Sequence, residues 1–343
     1  MNAINRFPFG PNGAGSVQLS VVVPFYNERE VLPLCLRRIT GVLFNMGIPT
    51  EIVFVDDGST DEGSEVLSFA AFREPDHDEP RVRVVRLSRN FGKEAAMMAG
   101  IEHAKGEAVV VLDADLQDPP ELIPAMVHAW YQGADVVSMR HRQRDGETWL
   151  KRASAHAYYR ILQRLSRSPM PVDTGDFRLL SRRAVQALLQ LPERCRYMKG
   201  LYAWIGLPTT VITYDRAPRA AGRSTWSYGK LIGLAMEGIT SFSVAPLRWV
   251  TGFGMLAAIA GGGFGLNIIG KTVLFGSDVH GYPSLIALVT FLGGVQLITV
   301  GLLGEYVGKT YIESKQRPLY LVRDILQPSG QPVEKAAWHG ANA

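Results

Sequence analysis

Asp113-Ala114-Asp115 closes a run of aliphatic residues, Val109-Val110-Val111-Leu112, and leads into Leu116-Gln117-Asp118-Pro119-Pro120. A β-branched run that stops abruptly in acid is the pattern of a buried parallel strand delivering carboxylates to its C-terminal end, where open α/β sheets bind their ligands. Two carboxylates one residue apart, with the carbonyl oxygen of Gln117 two further on, are hard donors. Mg²⁺ or Mn²⁺ accepts such a set while keeping positions open for phosphates. A solvated acidic turn before the two prolines is the other reading, and the triplet alone does not decide between them.

Two more clusters stand where strand-like runs end. Pro24-Phe25-Tyr26-Asn27-Glu28 follows residues 19–23, and Val55-Asp56-Asp57-Gly58-Ser59-Thr60-Asp61 overlaps the end of residues 51–55. At such an edge an aromatic can stack on a base while a carboxylate accepts hydrogen bonds from base or ribose, a grip on a nucleotide that needs no phosphate loop. Neither a G-x-G-x-x-G nor a Walker A sequence is present. Taken alone, Asp-Asp-Gly-Ser reads as a turn with an N-cap. Three acidic or aromatic clusters at successive strand ends are harder to assign to turns.

The elements that must position these residues alternate. Strands are expected at 19–23, 51–55, 82–87, 108–112 and 134–139, with a late one at 209–214. Leu32, Cys35, Leu36, Ile39, Leu43 and Met46 fall at helical spacing in the first gap, and helices are expected near 153–165 and 182–191. This alternation predicts an α/β fold with a mainly parallel sheet and helices on both faces. Residues 73–80 read as a surface loop and residues 1–16 as a disordered tail, which leaves 17–227 as the catalytic domain.

The 343 residues are 47% hydrophobic, enough for a sizeable core, and the net charge is +4. Residues 140–230 hold 18 Lys/Arg against 6 Asp/Glu, so this stretch is +12 and the remainder −8. Such a region suits nucleic acid, an anionic membrane surface or phosphate-bearing substrates. No helix-turn-helix, zinc finger or RNA-binding aromatic signature accompanies it, which sets nucleic acid aside. Cys35 and Cys195 offer neither a disulfide framework nor a zinc site.

Residues 228–246 carry a broad apolar face, expected to form amphipathic helices in a membrane interface. Beyond them lie charge-free stretches of 22 residues, Trp249 to Gly270, and 24 residues, Gly281 to Gly304. Each exceeds the ~20 residues that cross a bilayer core. Membrane helices are therefore expected at 247–274 and 281–306, with close packing at Gly261-Gly262-Gly263 and Gly293-Gly294 and a tail at 307–343. Lys230, Arg248, Lys309, Lys315 and Arg317 flank the shared side, so the positive-inside bias places the catalytic domain in the cytoplasm and the chain in the inner membrane as a multi-pass protein.

These motifs, together with Ser88-Arg89-Asn90-Phe91-Gly92-Lys93-Glu94 and Thr174-Gly175-Asp176-Phe177-Arg178, resemble the polyprenyl-phosphate glycosyltransferases of the inverting GT-A family 2. Leu191-Pro192-Glu193-Arg194, Met198-Lys199-Gly200-Leu201 and Gly304-Glu305-Tyr306 look most like bactoprenol glucosyltransferases, with dolichol-phosphate mannose synthases more distant. The resemblance spans residues 19–323. It implies a GT-A fold and nucleoside contacts at Pro24, Tyr26, Glu28, Val55, Asp57, Lys93 and Asp113. It places Mg²⁺ or Mn²⁺ on Asp113, Asp115 and Gln117, Arg140 and Arg219 near the phosphates, and Lys151 or Arg152 on the acceptor phosphate. Asp176 is the expected base or acceptor-positioning residue, with Arg178 its structural or phosphate-binding neighbour and Asp115 catalytic through the metal.

The reaction implied is inverting transfer of a hexose, glucose from UDP-glucose, to undecaprenyl phosphate. GDP-mannose, UDP-N-acetylglucosamine and UDP-galactose are the alternative donors, and a catalytically silent scaffold is the reading from another class. The same relatives suggest a homo-tetramer, and a lipid-linked-sugar flippase is the partner that would follow. Gly222-Arg223-Ser224-Thr225 lacks the lysine that relatives often carry there.

Overall fold

A computed structural model describes residues 17–71, 80–142, 174–215, 244–275 and 281–327. The chain divides into two compact units, one holding every described strand and the other holding two long apolar helices.

In the first unit β1 (Leu19–Phe25), β2 (Thr50–Asp56), β3 (Arg81–Leu87) and β4 (Ala108–Val111) run parallel in the order β4-β1-β2-β3. Every residue of β1 and β4 is buried, which is why these strands read as continuous apolar runs. Helix α1 (Leu32–Met46) buries the six residues that the spacing predicts and stops at Gly47, whose φ of 62° favours glycine. Helices α2 (Gly63–Ala71) and α3 (Lys93–His103) follow β2 and β3. Helix α3 packs so close to the opposite face that a Cβ on Gly100 would stand 2.2 Å from Val22. Strand order reverses between β1 and β4, and that crevice is where such sheets bind ligands.

Beyond α4 (Ile123–Tyr131), the strands β5 (Val136–His141), β6 (Thr174–Ser181) and β7 (Thr209–Tyr214) extend the sheet to β7-β5-β6-β4. Strand β6, which the sequence does not predict, is antiparallel to both neighbours, so the mainly parallel sheet includes a reversed strand here. The reversal has a chemical consequence. Val111 pairs with Arg178, and the same register continued two residues sets Asp113 opposite Asp176. The start of β6 thus lies at the edge where β1, β2 and β4 end. Helix α5 (Arg182–Leu189), capped by Ser181 Oγ on the Ala184 amide at 3.1 Å, and α6 (Met198–Trp204) complete this half.

The second unit holds α7 (Ala245–Phe275) and α8 (Tyr282–Ser314). Pro246–Asn267 and Phe291–Ser314 are each long and apolar enough to cross a membrane, and neither is buried by protein. Helix α8 runs on past residue 306, through Glu305 and Lys309. A Cβ added at Gly261, Gly262, Gly263, Gly293 or Gly294 would meet nothing within 4 Å, so the close packing expected there is not made among the described residues.

After α8 the chain rejoins the sheet. Strand β8 (Val322–Leu326) pairs antiparallel with β3, where a tail was expected. The expected helix at 153–165, most of the interfacial segment and of the loop at 73–80, residues 1–16 and everything after Gln327 lie outside the described residues.

Candidate active site at the sheet edge

Leu112 extends the β4 pairing by donating its N–H to Val22 O at 3.0 Å. Burial then alternates: Asp113, Asp115 and Gln117 are partly exposed, while Ala114, Leu116 and Asp118 are buried. Leu116 sits at φ 56°, a left-handed conformation costing a side-chain-bearing residue about 1–2 kcal/mol, and its fully buried side chain holds it there. This geometry turns the chain so that Asp115 and Gln117 both stay at the edge, and the Gln117 amide donates to Asp115 Oδ1 at 3.1 Å. The buried Asp118 accepts the Tyr214 hydroxyl at the end of β7, which fastens the turn to the sheet. The acidic turn and the candidate ligand set are therefore the same structure.

Lys93, the first residue of α3, joins the two halves of the edge. Its Nζ lies 2.8 Å from Asp113 and 2.6 Å from Asp176. Burial disfavours the Lys93 charge, yet Asp113 and Asp176 together raise the group above the ordinary lysine range. Burial likewise pushes Asp176 up, but Lys93, then Lys199 and Arg178, outweigh it and hold that carboxyl at about 2. The resemblance implies a nucleotide contact for Lys93; in the structure it bridges these two carboxylates.

At the ends of β1 and β2, Tyr26 is 44% exposed and Glu28 partly so. Asn27, at φ 54°, donates its N–H to Ser59 Oγ and accepts the Thr60 N–H, stitching the two strand ends together. Pro24 and Val55 are paired and buried, so they offer backbone rather than side chain. Asp57 is buried and accepts the amides of Phe91 at 2.7 Å and Gly92 at 2.9 Å, so both oxygens hold the loop that carries Lys93. Gly58 lets that loop pass: at φ 73°, its Cβ would stand 2.4 Å from the Arg89 carbonyl carbon.

On the β5 and β6 side, Arg140 pairs with Thr174, and its Nε is buried without a partner among the described residues. Arg178 is 2% exposed, donates to Gly175 O at 2.6 Å and lies 3.7 Å over the Tyr202 ring. Burial lowers its pKa. A guanidinium so enclosed packs β6 against α6. Lys151, Arg152, Arg219 and the segment 222–225 lie outside the described residues. Glu94, for which the sequence pattern implies no role, accepts the Met198 amide at 2.6 Å and ties α3 to α6. Its lone carboxylate beside Lys93 was the available signal.

The residues present fit a divalent cation. Asp113 and Asp115 present hard oxygens at a partly open edge, and no group of three or more acidic, His or Cys ligands occurs among the described residues. A sparse set of this kind suits Mg²⁺ or Mn²⁺, which complete their shells with water and phosphate.

Residues 20–189 match the model of Glycosyl transferase family 2. An uncharacterized glycosyltransferase of Synechocystis sp. is 44% identical over 93% of this chain and 99% of its own length. The bactoprenol glucosyl transferase of Shigella phage SfV is 42% identical over 91% of this chain and 100% of its own. Glucosyl-3-phosphoglycerate synthase from Mycobacterium tuberculosis, crystallised with Mn²⁺ and UDP-glucose, aligns at 17% identity and a TM-score of 0.45, covering 66% of this chain and 78% of that one. With relatives matched from end to end at over 40% identity, this chain belongs to glycosyl transferase family 2 and carries its GT-A sheet.

Proposed function

We propose that the protein transfers glucose from UDP-glucose to a polyprenyl phosphate, undecaprenyl phosphate in a bacterial membrane, with inversion at the anomeric carbon. The observation that carries this is the convergence of Asp113, Asp115 and Asp176 at one sheet edge, in a chain that also holds two bilayer-length helices. The full-length similarity to bactoprenol glucosyl transferases supports both the sugar and the lipid.

A phosphate oxygen of the lipid attacks the anomeric carbon as the bond to UDP breaks on the opposite face, and UDP leaves with the electron pair. Mg²⁺ or Mn²⁺ on Asp113, Asp115 and the Gln117 carbonyl would neutralise the charge growing on that leaving group. Tyr26 and Glu28 hold the nucleoside, and Arg140 faces the phosphates. Asp176, held at about 2, is a poor proton acceptor. The acceptor does not require one, because a phosphate monoester has a second pKa of about 6 and is largely dianionic at neutral pH. Asp176 acts as a fixed anion that orders the cations around the acceptor.

Connectivity supports two membrane crossings. Two consecutive crossings return the chain to the side on which it started, and Arg248, Lys309, Lys315 and Arg317 flank that side. Positive charges at that side support a cytoplasmic catalytic unit. A tetramer, and a flippase receiving the lipid-linked sugar, extend this reading.

Purified enzyme given undecaprenyl phosphate and competing UDP-glucose, UDP-galactose, UDP-N-acetylglucosamine and GDP-mannose should form the glucosyl lipid in excess. Preference for another donor overturns the glucose assignment, and absence of any lipid product overturns the reaction.

A further inference from the structure

Glu94 is not among the donor or acceptor contacts set out above, yet it is built into the site. Its Oε2 accepts the amide of Met198, 104 residues along the chain, at 2.6 Å. Met198 and Leu201 are buried, so α6 is anchored by both its apolar side and this carboxylate. The next residue, Lys199, is partly exposed, and no described residue forms a hydrogen bond or ion pair with its ammonium. Its backbone is held near Asp176: Lys93 bonds Asp176 at 2.6 Å, Glu94 follows Lys93, and Glu94 holds the amide of Met198, the residue before Lys199.

Asp176 therefore stands near two ammonium groups with different commitments. Lys93 is hydrogen-bonded to Asp113 and Asp176, so its charge is already shared between two carboxylates. A dianionic phosphate brought to Asp176 needs a cation that is still available, or like-charge repulsion will keep it out. Lys199 is the uncommitted ammonium nearby, and a lysine offers a phosphate a mobile point charge with three donors.

We propose that Lys199 binds the phosphate of the acceptor lipid and that Glu94 is its positioning residue, acting through the Met198 amide. This rests on the lipid-phosphate reading above. Glu94 does not touch substrate; it fixes where α6 begins and so where Lys199 reaches.

Steady-state kinetics in detergent, with undecaprenyl phosphate and UDP-glucose varied separately, test the assignment. Lys199→Met should raise the acceptor KM about tenfold or more, the loss expected for one charge-assisted hydrogen bond, with the donor KM within about twofold. Lys199→Arg should recover most of that loss. Glu94→Ala should reproduce the acceptor-selective rise, and Glu94→Gln, whose amide oxygen still accepts from Met198, should recover most of it. An unchanged acceptor KM in Lys199→Met, or an equal rise in the donor KM, overturns the proposal. Should Glu94→Ala fail to fold, the Lys199 pair decides alone. Wild-type enzyme separates the two readings: no glucosyl lipid from wild type means the function is wrong, whereas normal product with an indifferent Lys199→Met means only this assignment is.

Discussion

Asp324 grips Arg86 through both carboxylate oxygens, at 2.5 Å from Nε and 2.6 Å from Nη2, across 238 residues of sequence. The pair clasps β8 to β3, and the Ser88 amide adds a bond to Leu321 O at 2.9 Å. Strand β3 leads directly into the loop that carries Lys93, so the segment returning from the apolar helices is joined to the site.

Asp324→Ala should therefore cost about 1.5–3 kcal/mol, the range for hydrogen bonds to a charged group, and lower the unfolding midpoint by several degrees. Thermal unfolding of the detergent-solubilised protein reads this directly. A midpoint equal to wild type would mean the strand contributes nothing to the sheet.

Gly58→Ala should displace the 88–92 loop, since the new methyl cannot occupy a place 2.4 Å from the Arg89 backbone and the φ of 73° disfavours alanine. With Asp57 no longer able to hold the Phe91 and Gly92 amides, Lys93 moves relative to Asp113. The expected outcome is a drop in turnover of about tenfold or more. Wild-type turnover at normal stability would separate the loop from catalysis.

Glu94 supplies a pH signature. Burial pushes its carboxyl from 4.5 up to about 7, with the Met198 amide, Lys199 and Lys93 pulling down and Asp176 pushing up. The folded protein binds this proton more tightly than the unfolded chain does. The contribution to stability is thus full below pH 4.5 and is lost as pH rises through 7. Asp176 has the opposite sign, but its contribution is lost only as pH falls toward about 2, outside this window. Unfolding midpoints at pH 5 and pH 8 should fall more for wild type than for Glu94→Gln. Parallel profiles would contradict the assignment.

Asp176→Asn keeps the shape and removes the charge that orders Lys93. Turnover should fall at least about tenfold, without the recovery at high pH that loss of a general base would allow. Near wild-type turnover would remove Asp176 from the site.

What was legible in the sequence was whatever local pattern carries. The aliphatic run ending at Asp113 identified β4, and the apolar spacing of α1 identified its buried face residue for residue. Strand β6 was missed because Thr174-Gly175-Asp176 opens it with polar and small residues, so its motif was visible while its direction was not. Strand β8 has five residues, with Arg323 and Asp324 among them, and acquires strand character only from a partner 238 residues away. The same limit applies to the Lys93 bridge and the Glu94 to Met198 bond, which join residues 83 and 104 apart. The resemblance singles out Asp57 as a nucleoside contact, but its engagement by two backbone amides depends on where the loop after β3 folds back.

In the proposed reaction the acid cluster at the end of β4 drives metal-assisted transfer of glucose to a lipid phosphate. The most direct test follows radiolabelled glucose from UDP-glucose into organic-extractable lipid, for wild type and Asp115→Asn, with undecaprenyl phosphate and Mg²⁺ or Mn²⁺. Label should enter the lipid only with wild type, acceptor and metal together. It should be absent with chelator and in Asp115→Asn, while that variant keeps its unfolding midpoint and its membrane fraction. Equal labelling by a folded Asp115→Asn, or incorporation that ignores the chelator, would contradict the account.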